Sequence, residues 1–569
     1  MPYKKLGLAA VLLMIAAING CVSPGRLEVN DVYRFQQHIL EQGPQERSDK
    51  KLGLMTPQST LAPFETSVNS KTNRVIVKLS LNDAIARALA NSTDIAVVSY
   101  SPSISRQAVI EAAADFDFDL TGGWGYSGTK YKPLKHNATS GANIGLTKKT
   151  IYGTNLSLTG EFNRHVNPLA TTPPYSSSDV YTNQVSLQIT QPLLRGFGTD
   201  FNLYNLRIAR LNYKISESEF RQQVLTTINQ VSNAYYALIL ARKEVEIAQR
   251  LYDKTIAVNK LLKGRATLDV TNIELSQTRA TINTRKNTLI TSQKALIDAE
   301  EALARILSDS QINVLKSPEI IPTTNISETK LNIDVADQLA TALRLSPTLE
   351  QARLAIRQSE LTVKFAKNDL LPSLNLVAGY TPSGSAHTRN AEWNELLKSS
   401  NYGYNVGFTF EYPIGNRARK ARLESARLGR LQSRVQIQQA ADLLAQQIKE
   451  RIRQVELSYE SLQYQRKAYK AYQDQMEAFS ARYGINDTGQ IDKRAGIKDL
   501  NAALFSLFLQ IQADIALAET GIIRAKVQYN SALKDLQALT GELLLTNRVK
   551  LALPIAKPLP EKPDNKPSN

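Results

Sequence analysis

Two stretches of the chain carry the same pattern of apolar positions, with steps of four, three, four and three residues between them. Steps of this size place the side chains on one stripe of an α-helix. A sustained stripe is typical of long helices that pack against one another, so the pattern predicts two such helices. The two sets are Val224, Ile228, Val231, Tyr235 and Leu238, and Ile448, Ile452, Val455, Tyr459 and Leu462.

The predicted helices extend beyond these stretches, over residues 200–263 and 417–482. At ~1.5 Å per residue each is about 95–100 Å long, far beyond an ordinary globular helix. A turn at 263–265 leads into a returning helix that ends at Leu307. A longer turn at 484–496 leads into another that ends at Leu539. The pattern therefore predicts two helical hairpins.

Four segments alternate between apolar and polar residues, which predicts strands with one apolar and one polar face. The clearest alternation lies at 402–412, and the others lie at 116–126, 181–190 and 373–380. The side chains that we expect on the apolar, lipid-facing side are Phe118, Trp124, Tyr126, Leu187, Tyr380, Tyr404, Phe408 and Phe410.

The order of short helix, strand pair and long helical hairpin occurs twice. The short helices begin at Leu81 and Val335, 254 residues apart, whereas Val224 and Ile448 are 224 residues apart. An internal duplication with 30 additional residues in the first copy explains both separations. We assign the additional residues to 136–166, where alternation around Tyr152-Gly153 resembles a hairpin. The sequence leaves open whether this hairpin joins the sheet or forms a loop.

The apolar face of the strands must be covered, either by other protein or by lipid. A soluble sandwich is the commoner source of alternation, but these strands are few and separated by helices, so one chain lacks a second sheet to cover them. A strand between lipid and a watery lumen fits the pattern better. Four strands cannot close a barrel, and an open edge would leave backbone groups unpaired in lipid. The sequence therefore predicts an oligomeric barrel.

The first residues have the features of an export signal, with Lys4 and Lys5 before an apolar core that is too short to span a membrane. The signal is followed by Cys21, the only Cys of the chain, in a context that resembles a bacterial lipobox. The alternative is an incidental Cys near an ordinary cleavage site. Val22 follows in place of Asp, which by the lipoprotein sorting rule indicates the outer membrane. An acylated Cys21 would anchor the chain without spanning the membrane.

These features divide the chain into six segments. A signal peptide (1–20) precedes a lipid-anchored tether (21–78). The first repeat (79–310) and the second repeat (333–541) are joined by a linker (311–332), and a Pro- and Lys-rich tail (542–569) follows. The predicted fold is an α+β membrane protein in which an oligomeric β-barrel is joined to two long helical hairpins.

Composition argues against several functions. The 569 residues include four His and one Cys, which are scattered and show no metal-ligand spacing. No nucleophile–base pair or phosphate-binding loop is recognisable. We therefore expect no enzymatic activity, no metal site and no cofactor.

The formal net charge of +17 suggests an anionic partner. However, the Lys and Arg residues are spread along the helices, and their densest run, from Arg417 to Arg430, opens a long helix. Nucleic-acid binding requires a clustered basic patch with stacking aromatic residues. We interpret the charge as solvated helix faces and expect no nucleic-acid partner.

Several motifs resemble the TolC family of outer-membrane efflux proteins. They are Leu81 with Ala88-Leu89, Gln191-Pro192-Leu193-Leu194, Ser346-Pro347, and Tyr529-Asn530 through Thr540-Gly541. Each motif is weak alone, but their duplicated order over residues 79–541 is specific. The resemblance implies a homotrimer in which each chain supplies four strands to a barrel of twelve, together with helices that line a periplasmic tunnel.

The resemblance also implies function and partners. It implies a passive exit duct for efflux or type I secretion, with outer-membrane lipid around the barrel. A periplasmic adaptor (membrane fusion) protein would connect the duct to an inner-membrane pump. The aperture would lie at the hairpin tips, where the candidate residues are Gly264, Asp269, Gly484, Asp487, Asp492 and Asp499. Asp269 and Asp499 have an alternative role as caps of the returning helices.

A second function stays open at this point. A periplasmic coiled-coil lipoprotein, acting as an adaptor or scaffold, would place its strands in a soluble β domain. The two hypotheses differ over residues 402–412, whose aromatic face meets lipid in a duct and protein in a scaffold.

Overall fold

The computed structural model describes residues 66–68, 74–130, 136–166, 179–265, 272–309, 318–399, 401–484 and 502–547, together with Ile312 and Val549. All of them belong to one compact unit, Pro57–Asn569. The signal peptide, Cys21 and most of the tether and the tail lie outside the described residues, as do four candidate tip residues, Asp269, Asp487, Asp492 and Asp499.

The first repeat contains two short helices, four long strands and a helical hairpin. Two short strands precede it, β1 (Thr66–Val68) and β2 (Val75–Leu79). Its elements are α1 (Leu81–Asn91), α2 (Thr93–Ala114), β3 (Phe118–Lys130), β4 (His136–Lys149), β5 (Asn155–Val166), β6 (Val180–Pro192), α3 (Thr199–Asn202), α4 (Tyr204–Arg265) and α5 (Asn272–Leu307).

The second repeat has the same order with two strands in place of four. A short strand, β7 (Glu319–Pro322), precedes it, and α11 (Leu543–Thr546) follows it. Its elements are α6 (Val335–Leu345), α7 (Pro347–Asp369), β8 (Ser373–Ala386), α8 (Arg389–Lys398), β9 (Asn401–Glu411), α9 (Arg417–Tyr483) and α10 (Ala502–Thr540).

Both repeats begin with a capped helix. The Ser80 hydroxyl accepts a hydrogen bond from the Asp83 N–H at 3.1 Å, and the Asp334 carboxylate accepts one from the Ala336 N–H at 2.9 Å. These bonds satisfy N–H groups that the first helical turn leaves unpaired. Ser92 and Ser346 then interrupt the helix at equivalent places, before α2 and α7.

The long helices bury the stripes that the sequence predicts. All five residues of the first stripe are at most 1% exposed. In the second stripe four residues are buried, and the half-buried Tyr459 lies 5.6 Å from Tyr529 between ring centroids. The helices contain 62 residues in α4 and 67 in α9, so each is about 95–100 Å long at ~1.5 Å per residue. The prediction of two long helical hairpins is confirmed.

A three-stranded sheet of order β1-β2-β7 joins segments that the sequence placed in the tether and the linker. β2 pairs with β7 in parallel, and Tyr235 of α4 holds their ends together. Its hydroxyl donates to the Leu79 carbonyl at 2.9 Å and accepts from the Thr323 and Thr324 N–H groups, each at 3.1 Å. Tyr235 is therefore a structural residue of the first stripe.

The second sheet has six strands in the order β3-β4-β5-β6-β8-β9, all antiparallel. The expected number was about four. β4 and β5 occupy residues 136–166, the segment assigned to the additional hairpin, and they join the sheet. Pro382 lies within β8 where the pairing with β6 is interrupted, because proline lacks the N–H that a ladder requires.

In the described part of the chain, three helices of 10 or more residues were not expected from the sequence. α2 and α7 run back along the long helices, and α8 lies between the last two strands. The apolar residues of α2 lie on more than one side of the helix, because Val97 and Ile104 are exposed while Ile95 and Ala113 are buried. The boundary of β3 also differs, since Phe116 precedes the strand and is 4% exposed.

One stretch among the described helices, Leu504–Thr540, is long and apolar enough to cross a membrane by length and composition alone. It belongs to α10, which packs against α4 and α9.

Candidate functional site: a strand wall joined to helical hairpins

The register of the six-stranded sheet aligns apolar residues in one row across all its strands. This apolar row is Leu120, Leu146, Leu158, Leu187, Tyr380 and Tyr404. Because side chains two residues apart share a face, the same face carries Trp124, Phe162, Ile189, Leu376 and Phe408. The sheet therefore has one continuous apolar face.

The apolar face is open in the single chain. Trp124 is 76% exposed, Tyr404 is 79% exposed and Phe408 is 67% exposed. All eight residues expected on the lipid-facing side lie on this face. The β1-β2-β7 sheet, the other sheet in the described part of the chain, contacts α4 instead. Exposed apolar surface of this extent is typical of a site that meets lipid or another protein.

The opposite face carries a matching polar row of Asp119, Thr147, Ser157, Gln188, Gly379 and Asn405. Polar side chains on this face bond across the strands. Gln184 donates to the Glu161 carboxylate at 2.6 Å. The ring of His165 lies between the hydroxyls of Thr139 and Thr182, at 3.1 and 3.3 Å. This face is suited to contact with water.

Glycines on the polar face lie beneath asparagine side chains of the neighbouring strand. A Cβ atom on Gly123 would lie 2.5 Å from Asn143 Oδ1, and one on Gly379 would lie 2.3 Å from Asn405 Oδ1. Gly141 and Asn163 have the same arrangement on β4 and β5. The additional hairpin thus repeats a feature of the strand pair β8–β9.

The turn between β4 and β5 contacts the junction of β6 with the helices. The Tyr152 carbonyl accepts a hydrogen bond from the Gly198 N–H at 3.2 Å, and the Thr154 hydroxyl donates to the Gln191 side chain. Gly153 has φ +94°, and a Cβ atom there would lie 2.4 Å from the Gly196 carbonyl oxygen. The turn therefore lies at the helix-proximal end of the sheet.

Helix α8 covers part of the apolar face at the other end of the strands. Trp393 stacks on Phe162 of β5 with ring centroids 5.4 Å apart. Gly384 of β8 allows close approach, since a Cβ atom there would lie 2.4 Å from the Glu392 carbonyl oxygen. Both ends of the additional hairpin are therefore packed against other elements of the sheet region.

The basic start of α9 pairs with carboxylates where the sheet meets the helices. Arg419 lies 3.8 Å from Asp369 and 3.9 Å from Glu411, and Arg422 lies 3.5 Å from Asp369. Arg195, after β6, also contacts Glu411 at 3.4 Å. These charges form ion pairs at the junction.

Two of the candidate tip residues are described. Gly264 lies in the last turn of α4, which continues to Arg265, so the predicted turn at 263–265 begins later than expected. Gly484 ends α9 with φ 65°, and its N–H donates to the Ser480 carbonyl at 2.8 Å. This left-handed helix end is the conformation that glycine adopts most readily. The other candidates lie outside the described residues, so their roles stay predictions.

A buried arginine near the tips was not singled out from the sequence. Arg285 of α5 is 7% exposed and donates to the Leu509 carbonyl at 2.7 Å and to Gln512 Oε1 at 3.3 Å. It also donates to the Thr255 hydroxyl. Burial lowers the pKa of Arg285 to about 10, so the guanidinium keeps its charge at neutral pH. The residue joins α4, α5 and α10 beside a cluster of apolar side chains that includes Phe479 and Phe508.

Within the described residues, no group of three or more His, Cys, Asp and Glu side chains is arranged to hold a metal ion. The described geometry is that of a wall with one apolar and one polar face, continued by long helices.

Comparison with known protein families gives one match. The model of the outer membrane efflux protein family matches residues 84–308 and 339–485. None of the curated protein sequences matches this chain.

Solved structures share the fold at low sequence identity. The Campylobacter jejuni CmeC outer membrane channel has 15% identity and a TM-score of 0.59, covering 81% of this chain and 86% of that chain. The open-state Neisseria gonorrhoeae MtrE outer membrane channel has 16% identity and a TM-score of 0.58, covering 81% and 89%. The Vibrio cholerae outer membrane protein VceC has 16% identity and a TM-score of 0.57, covering 81% and 96%.

Proposed function

This chain belongs to the outer membrane efflux protein family. Its six-stranded sheet has two open edges, and we propose that copies of the chain pair at these edges to form a homotrimer. It is an outer-membrane exit duct, with the sheet as its membrane wall and the long helices as its periplasmic part. The sheet's continuous apolar face is the observation that carries this function, since lipid is the environment that such a face on a barrel wall requires.

The sheet edges support assembly. β3 and β9 each pair on one side within the chain, which leaves one edge of each strand open. In lipid, unpaired backbone groups each cost several kcal/mol, so a membrane sheet must close on itself. Pairing of β3 with β9 of the next chain closes it.

Exposed apolar stripes on the helices support the same assembly. Val97 and Ile104 of α2 are about 70% exposed and lie seven residues apart, two turns along the helix. Leu428, Leu431 and Val435 form a similar stripe on α9. Neighbouring copies would cover both stripes, as packing of amphipathic helices requires.

The partners follow from a passive duct. A periplasmic adaptor would receive substrate from an inner-membrane pump and deliver it to the hairpin tips. Gly264 lies in the last turn of α4, and Gly484 ends α9. The pump would supply the energy. The candidates Asp269, Asp487, Asp492 and Asp499 are proposed to lie around the aperture.

Membrane anchoring through Cys21 is a separate part of the proposal. We expect metabolic labelling with a radioactive fatty acid to be lost in Cys21→Ser, while Ser23→Ala serves as the control. Labelling that persists in Cys21→Ser would show that the lipobox is misidentified.

The proposed duct is tested by the mass of the assembly and by its ion conductance. The purified protein should have the mass of three chains in detergent and should conduct ions in planar bilayers. The alternative, a periplasmic coiled-coil adaptor or scaffold, predicts no current and a sheet buried against another protein. Its main difficulty is the apolar face, for which the described part of the chain offers no covering sheet.

A further inference from the structure

The additional hairpin of β4 and β5 lies inside the six-stranded sheet. β4 pairs with β3 along its whole length, from Lys130↔His136 to Phe118↔Lys148, and with β5 on its other side. β5 pairs in turn with β6 from Asn155↔Thr190 to His165↔Val180. A hairpin that formed a loop or a plug would leave β3 and β6 paired with each other, but here it separates them by two strands.

The hairpin has the two faces of a membrane wall. The apolar row passes through Leu146 and Leu158 without interruption, and the polar row passes through Thr147 and Ser157. A hairpin inside a watery lumen would meet water on both faces and would not need this alternation. The alternation therefore places one face of the hairpin against lipid and the other against the lumen.

The hairpin also spans the full height of the sheet. Its turn at Tyr152 and Gly153 contacts Gly196 and Gly198 at the helix junction, and Phe162 near its far end stacks on Trp393 of α8. With 14 residues in β4 and 12 in β5, each strand is long enough for a membrane strand of about 9–11 residues.

We propose that the additional hairpin widens the outer-membrane end of the duct, so that three chains enclose a barrel of eighteen strands in place of twelve. This inference rests on the proposed homotrimer. Strands about 4.8 Å apart and tilted by about 40° enclose a backbone diameter of about 24 Å with twelve strands and about 36 Å with eighteen. Each chain still supplies four long helices, α4, α5, α9 and α10, so the widening is confined to the membrane end.

The wider end admits larger solutes than a twelve-stranded barrel would. Its cross-section is about twice that of a twelve-stranded barrel, because area grows with the square of the diameter. The polar face, which would line the lumen, consists mainly of glycine, asparagine, glutamine, serine and threonine, which suits bulky water-soluble solutes, including polypeptides. The exit would then not be the narrowest point of the route.

The first test uses thiol labelling of trimers in lipid nanodiscs with a membrane-impermeant maleimide. On the hairpin, Ser157→Cys should be labelled through the lumen and Leu158→Cys should be protected by lipid. On β6, Gln188→Cys and Leu187→Cys form the matched pair, and the unsubstituted chain reports any labelling of Cys21.

The outcomes separate the two proposals. Alternating labelling in both pairs supports the eighteen-stranded wall. Alternation in the β6 pair with equal labelling of Ser157→Cys and Leu158→Cys would overturn the wider barrel and leave the duct intact. Loss of alternation in the β6 pair would overturn the proposed duct itself.

The second test removes residues 136–166. β3 and β6 can then pair directly, because they run antiparallel and the deletion leaves Leu120 and Leu187 on the same face. The limiting radius of polymers that enter from the outer side should be at least about 1.5-fold smaller in deletion trimers than in the full chain, because the backbone diameters differ by this factor and side chains narrow both barrels equally. An unchanged radius would contradict the proposal. If the deletion chain does not assemble, the labelling pattern decides.

Discussion

A step of one residue along these strands moves a side chain from the apolar face of the sheet to the polar face. Phe408 pairs with Leu376 on the apolar face, and Thr409 pairs with Asn375 on the polar face. The two positions are neighbours on β9 and lie on opposite faces of the sheet. Neighbouring substitutions therefore give a controlled measure of what each face contacts.

We predict that Phe408→Arg prevents normal assembly and that Thr409→Arg permits it. An arginine on the lipid face costs about 2–4 kcal/mol near the bilayer centre, whereas a lumen-facing arginine stays in water. The measurement is the amount of heat-modifiable trimer in outer-membrane fractions. Equal trimer yields for the two variants would show that this face of β9 does not meet lipid.

Arg285 is a buried charged residue whose hydrogen bonds join three helices. We expect Arg285→Ala to lower the free energy of unfolding by about 2–4 kcal/mol, because Thr255 and Gln512 lose a partner and a cavity remains. Arg285→Met should recover most of this loss, since it fills the space without burying a charge. Thermal unfolding followed by circular dichroism measures both.

The matched control for Arg285 is Arg279→Ala on the exposed side of the same helix. Surface substitutions usually change stability by no more than about 0.5 kcal/mol. If Arg285→Ala and Arg279→Ala unfold at the same temperature, the hydrogen bonds of Arg285 contribute nothing to the joining of the three helices.

The sequence partly predicts that Arg285 is buried. The residue lies four positions before Leu289, which is 1% exposed, so the two side chains share one buried side of α5. Its partners were not predictable, because Thr255 is 30 residues away and Leu509 is 224 residues away. A periodic pattern shows which side of a helix is buried but not which helices meet there.

At the scale of elements, periodicity predicted the segments that bury one regular face. The long helices and the four main strands lie close to their expected positions, and the unequal spacing of the repeats located the additional hairpin. α2 was missed because its apolar residues do not form a single stripe. Whether the hairpin joined the sheet depended on its register with β3 and β6, and register is set by contacts between distant segments.

Tyr235 provides a test of how the long helix holds the three-stranded sheet. We predict that Tyr235→Phe lowers the free energy of unfolding by about 1–3 kcal/mol, because the Leu79 carbonyl and two N–H groups lose the hydroxyl that joins them. The aromatic ring and its packing stay in place, so the loss reports on the hydrogen bonds.

Tyr236→Phe is the control, since it removes a hydroxyl from the next residue, which is 5% exposed. Hydrogen exchange of the β2 and β7 amides should accelerate in Tyr235→Phe and change little in Tyr236→Phe. Similar exchange in both variants would argue that the strands are held by backbone pairing alone.

At the scale of the whole molecule, the two repeats are joined by polar contacts between long helices. Asp535 of α10 accepts hydrogen bonds from Asn229 at 2.8 Å and Asn233 at 3.1 Å, both on α4, and it lies 3.4 Å from Arg451 of α9. One carboxylate thus meets helices from both repeats. A second contact, between Arg250 of α4 and Glu519 of α10, is more exposed.

We predict that these two contacts differ in strength, although both join the repeats. Asp535→Ala should lower the free energy of unfolding by about 1–3 kcal/mol, because it removes charge-assisted bonds to three side chains from a carboxylate that is 23% exposed. Arg250→Ala should cost less than about 1 kcal/mol, since its side chain is 52% exposed and water replaces the lost partner. Thermal unfolding in low and high salt measures both. A larger loss for Arg250→Ala would mean that the exposed pair, rather than the Asp535 carboxylate, holds the two repeats together.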